Sequence, residues 1–69
     1  MSVKGYIRKL ERELYLTERE LQKTEKTITN IETKFGKQHI AFRVYTSKKE
    51  TLEKEINNLK SRIKTNKVK

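Results

Sequence analysis

Lys34-Phe35-Gly36-Lys37-Gln38-His39-Ile40-Ala41-Phe42-Arg43-Val44-Tyr45-Thr46-Ser47 is the stretch on which the fold of this 69-residue chain turns. Three readings of it compete. Gly36 directly after Phe35 fits a helix end, because glycine reaches the left-handed conformation cheaply just past the last helical turn and Lys34 sits beside the terminal carbonyls. Alternatively, a glycine inside a continuous helix costs only about 1 kcal/mol relative to alanine, so one long helix could run through it. Third, residues 38–46 alternate Ile40, Phe42 and Val44 with Ala41, Arg43 and Tyr45 and are rich in β-favouring side chains. That pattern suits a strand, with Ser47 and Glu50 forming a capping-box pattern for a helix behind it.

The segments on either side weigh on the choice. With position a at Ile7, steps of three and four lead through Leu10, Leu14, Thr17, Leu21, Thr24, Ile28, Ile31, Phe35, Gln38, Phe42, Tyr45, Lys49, Leu52, Ile56, Leu59 and Ile63 to Asn66. Thirteen of these eighteen positions are apolar or aromatic in a chain that is 32% apolar overall. A seam of that density over eight heptads predicts helices packed along one stripe.

Folding back at Gly36-Lys37 would stack this seam into layers: Phe35/Gln38, Ile31/Phe42, Ile28/Tyr45, Thr24/Lys49, Leu21/Leu52, Thr17/Ile56, Leu14/Leu59, Leu10/Ile63 and Ile7/Asn66. Five of the nine layers are apolar on both sides, and Thr24 faces Lys49, so two polar seam positions share one layer. A lone strand at 38–46 has no pairing partner within the chain. The preferred reading is therefore all-α: a single domain over residues 1–69, folded as an antiparallel coiled-coil hairpin with its turn near Gly36-Lys37 and a basic tail from about residue 64 that frays. A two-helix stripe of this size is marginal by itself. Apolar residues off the seam, Tyr6, Tyr15, Leu16, Ile40, Ala41 and Val44, offer a second surface for a protein partner or for dimerisation into a helical bundle.

Composition excludes several functions. The chain has no Cys, no Asp, no Pro and one His, so a disulfide framework is ruled out and a protein-only zinc site is not expected. No glycine-rich phosphate loop occurs, since Gly5 and Gly36 stand alone, and no cofactor is expected. The nine Glu are scattered on helical faces. Pairs such as Glu11/Glu13 and Glu18/Glu20 point in different directions on a helix, so no acid and base act together and an enzyme is not expected. Apolar runs never exceed three residues, which predicts neither a membrane span nor a signal segment and makes the cytoplasm the simplest location.

Charge is the one feature with functional content. The formal net charge is +9, and Lys34 to Lys49 hold Lys34, Lys37, Arg43, Lys48 and Lys49 without an acid. Lys60, Arg62, Lys64, Lys67 and Lys69 crowd the C-terminal end, while Lys4, Arg8, Lys9 and Arg12 crowd the N-terminal one. In a hairpin these two groups merge into one basic end, the electrostatic footprint of a phosphate-backbone binder or of a module facing an acidic partner. Lys outnumbers Arg thirteen to five, so nucleic-acid contact would be with the backbone more than with base edges.

The leading expectation is a helical accessory or regulatory factor that binds a protein partner and lays its basic end on nucleic acid or an acidic surface. An autonomous nucleic-acid-binding dimer comes next and a structural coiled-coil scaffold third. Membrane-surface binding ranks last, because the apolar face lacks Trp and is interrupted by Thr17, Thr24 and Lys49.

Overall fold

Between Tyr6 and Phe35 there is no Gly or Pro, and the residues off the seam are mostly good helix formers such as Glu, Lys, Arg and Gln. The computed structural model describes residues 3–68, and in it this segment forms one helix, α1, Val3–Phe35, followed by α2, Ile40–Val68. The two helices pack along their length as a hairpin of 49 × 14 × 14 Å.

What ends α1 is Gly36. Its φ of +87° places it in the left-handed region, and its N–H donates to the carbonyls of Glu32 (3.0 Å) and Ile31 (3.1 Å), closing the last turn of the helix. Lys37 adds an exposed ion pair with Glu32 at 3.6 Å. The chain then turns through residues 36–39, with the His39 N–H donating to the Gly36 carbonyl at 3.4 Å. At the start of α2 the Ala41 N–H donates to His39 Nδ1 at 3.1 Å, so the imidazole caps the helix in the manner of a serine or asparagine oxygen. The same ring stacks on Phe35, with centroids 4.8 Å apart.

The stripe that the two helices bury is the seam. Leu10, Ile31, Ile56 and Ile63 form the buried apolar core, and Thr24, 2% exposed, is buried among them. The other seam residues from Ile7 to Asn66 are half-buried, except Phe35 and Gln38. Thr24 is tolerated inside because its hydroxyl donates to the Glu20 carbonyl at 2.9 Å. Lys49 opposite it keeps its stem in the seam and sends its ammonium out to Glu25 at 3.6 Å. The expected polar layer is thus accommodated by a back-bonded hydroxyl on one side and a snorkelling lysine on the other.

Two of the three competing readings fall away. Residues 40–46 are helical, not a strand, and α1 does not run on through Gly36. A strand there would leave its backbone groups unpaired, whereas a helix satisfies them internally and still turns Phe42 and Tyr45 into the stripe. The turn is also longer than Gly36-Lys37. Because α2 begins only at Ile40, Gln38 lies in the turn and the expected Phe35/Gln38 layer does not form. Phe35 stays 61% exposed and covers one face with the His39 ring instead.

No heavy atom lies within 4 Å of a Cβ built on Gly36, so a side chain there meets open space and only backbone strain. Gly36→Ala is therefore expected to lower stability by about 1–2 kcal/mol, the cost of holding an L-residue in the left-handed region. Gly36→Asn should cost less, and urea unfolding followed by circular dichroism measures both. Thr46 Oγ1 is buried without a hydrogen-bond partner, so Thr46→Val should raise stability by about 1 kcal/mol in the same assay.

Candidate functional site

Positions on either side of the seam form two flanks, and charge pairs across each flank hold the helices in register. On one flank Lys48 Nζ reaches Glu20 Oε1 at 3.0 Å; on the other Lys67 Nζ reaches Glu11 Oε2 at 3.7 Å. All four side chains are about half exposed, so each pair adds little to stability, yet both are made in the register that also sets Leu14 beside Ile63 and Leu21 beside Ile56. The Glu20 carboxyl is held below its usual range, first by the hydrogen bond from Lys48 and then by the charge of that lysine, with Lys23 adding to it.

At the open end of the hairpin the start of α1 lies beside the end of α2. Lys60, Lys64 and Lys67 line one shallow groove with Glu11, Leu14 and Ile63. Helical spacing puts Lys4 and Arg8 on this same flank, Lys9 and Arg62 on the other, and Arg12 on the back of α1. The structure therefore brings together, as a single basic end, eight of the nine cations read from the sequence. Lys69 lies outside the described residues. The expected tail is helical through Val68.

The cations of the two helices differ in what accounts for them. Lys64 and Lys67 stand near the C-terminus of α2, where the helix dipole favours positive charge. Lys4 stands in the first turn of α1, which contains no acidic residue, with Arg8 and Lys9 just behind it. In that first turn the dipole opposes a cation, so helix stability does not explain Lys4. The field at the open end is the sum of these charges, relieved among the described residues by Glu11.

The off-seam apolar residues do not form one patch. Tyr6 and Leu16 lie on one flank, and Leu16, 55% exposed, floors a groove whose rim includes Glu13, Glu55 and Arg62. Ile40, Ala41 and Val44 lie at the turn end, with Ile40 72% exposed and Ala41 half-buried. Tyr15 points to the opposite flank by helical spacing, with the Arg19 guanidinium 5.8 Å from its ring centroid and Nη1 donating to its hydroxyl at 3.4 Å. The capping role of His39 and the carboxylate partners of Lys48 and Lys67 escaped the sequence reading. The one available signal was the position of His39 directly before the apolar Ile40.

Among the described residues no group of three or more His, Cys or acidic side chains is placed to hold a metal ion, and no helix is long and apolar enough to cross a membrane. Compared with protein-family models, with curated proteins and with solved structures, the chain matches none.

Because the Glu20 carboxyl is held below its ordinary value of 4.5, its contribution to stability is complete above that pH and is lost as pH falls through the lowered value. Thermal melts at a series of pH values should show the native protein losing more stability than Glu20→Gln on acidification. The gap between the two should close once Glu20 is protonated.

Proposed function

We propose that this chain is a non-enzymatic interaction module, a coiled-coil hairpin that takes a protein partner on its apolar flank and lays its basic open end against a polyanion. Nucleic-acid backbone is the polyanion that fits best. The observation that carries this reading is the convergence of Lys4, Arg8, Lys9, Arg12, Lys60, Arg62, Lys64 and Lys67 at one end of a 49 Å hairpin, with Lys4 placed against the dipole of α1. Charge maintained where it does not serve the helix is explained by a ligand that neutralises it. A Lys-rich end of this kind contacts phosphates as point charges and releases condensed counterions, which gives affinity without much sequence preference.

Two features support an accessory or regulatory role over a scaffold. The reversal at Gly36 limits the length to 49 Å, about half that of one continuous helix, which suits a spacer poorly. The exposed apolar side chains Leu16, Ile40 and Val44 also sit beside charged ones, as at a docking surface.

The test is duplex binding across a salt series. Affinity for a mixed-sequence duplex should fall steeply with salt, with a slope of about 0.9 logarithmic units per phosphate contacted. Lys60→Glu with Lys64→Glu should lower that slope by about two, while Lys26→Glu, at mid-length on the back of α1, should leave it nearly unchanged. Binding that ignores salt, or that survives the double charge reversal, would overturn the role of the basic end. An acidic protein surface would then be the better candidate.

A further inference from the structure

Along the hairpin, charge comes in three blocks. The open end, residues 4–12 and 60–69, holds nine Lys/Arg against Glu11. The middle, residues 13–32 and 50–59, holds eight Glu against Arg19, Lys23, Lys26 and Lys54, and the turn end, residues 33–49, holds five cations and no acid. The exposed apolar side chains follow the same division. Ile40 and Val44 belong to the cationic turn end, and Leu16 lies in the acidic middle beside Glu13 and Glu55. Neither of these carboxylates pairs with a cation among the described residues, and neither does Lys34 at the turn end. Within one molecule Lys37, Lys48 and Lys49 of the turn end already pair with Glu32, Glu20 and Glu25 of the middle, but Lys34 and the apolar Ile40 and Val44 lie too far along the hairpin to reach Glu13 and Leu16.

We propose that they meet between molecules: the partner of the apolar flank is a second copy of this chain, docked antiparallel and staggered so that the turn end of each covers the groove at Leu16 of the other. This inference rests on the reading of the apolar flank as an interface and is independent of what the basic end binds. The geometry is self-consistent under a two-fold axis. Ile40 and Val44 lie about 20–26 Å along the hairpin from Leu16 at 1.5 Å per residue, so an offset that seats one turn end seats the other as well. In that offset Lys34 of one copy comes level with Glu13 of the other.

Charge selects the stagger over the simpler alternatives. Two hairpins aligned in parallel would set one basic open end against another. A flush antiparallel pair would set each basic open end against a cationic turn end. The staggered pair places the turn-end cations on the acidic middle and leaves the two basic open ends projecting in opposite directions, free for polyanions. The overlap is about 35 Å long and one hairpin wide, on the order of 1,000 Å² in total, which is near the lower limit for a specific interface. Association is accordingly expected to be reversible and dependent on concentration.

The chain has no cysteine, so single introduced thiols report on this geometry cleanly. Sedimentation equilibrium over a concentration series should show a monomer–dimer equilibrium. Leu16→Glu should raise its dissociation constant at least tenfold while far-UV circular dichroism shows unchanged helicity. Glu13→Lys and Lys34→Glu should each weaken the dimer, and the two together should restore it, a recovery that a mere folding defect would not give. Under mild oxidation a mixture of Glu13→Cys and Lys34→Cys should form the mixed inter-chain disulfide faster than either variant cross-links alone.

A protein that stays monomeric throughout would overturn the inference, as would Lys34→Cys cross-linking to itself faster than to Glu13→Cys, or a double charge swap that fails to restore the dimer. Duplex binding measured alongside separates the two readings. A monomer that still binds duplex refutes the second copy and keeps the basic end, and a staggered dimer that ignores duplex does the reverse.

Discussion

A helix with one apolar stripe is stable in water only when that stripe faces another, and this chain carries a single seam from Ile7 to Asn66. The reversal at Gly36 turns one half of the seam into the partner of the other half. Everything else in the molecule depends on that reversal. It sets Leu14 beside Ile63, joins the first turns of α1 to the last turns of α2, and leaves the residues off the seam on two flanks open to solvent. The device is local and inexpensive: one residue at positive φ, two hydrogen bonds to the end of α1, and an imidazole that caps the start of α2.

The core so formed is thin. Among the described residues four apolar side chains and one threonine are buried, and much of the remaining seam is only half covered. A core of this kind tolerates polarity when each polar group finds a partner. Thr24 bonds back to its own helix and Lys49 carries its charge out to Glu25, so the layer between them is wet at the edge and satisfied within. The ion pairs Glu20/Lys48 and Glu11/Lys67 add little energy at their exposure, and their value is in specifying how the helices align.

Function, on this reading, is a matter of which charges the fold leaves without an internal partner. Lys37, Lys48 and Lys49 at the turn end are neutralised by Glu32, Glu20 and Glu25, whereas Lys34 lies tens of ångströms from Glu13 along the 49 Å hairpin, too far for one to neutralise the other at physiological ionic strength. In the proposed reading the basic end meets a polyanion, and the turn end of one copy meets the middle of another.

The helical class, the heptad seam, the polar Thr24/Lys49 layer and the site of reversal were legible in the sequence, because helical periodicity and the conformational freedom of glycine act over a few residues and need no context. The pooling of the N- and C-terminal cations followed once the hairpin was chosen. The sequence alone left the choice among hairpin, continuous helix and strand open, since Ile40, Phe42, Val44 and Tyr45 satisfy a strand alternation and a helical stripe alike. Tertiary packing decided it: facing helices cover Phe42 and Tyr45 and pair most backbone groups within each helix, which a lone strand cannot do. The length of the turn, the cap at His39, the exposure of Phe35 and the separation of Leu16 from Ile40 and Val44 were likewise decided only in three dimensions, because each depends on where the second helix starts relative to the first.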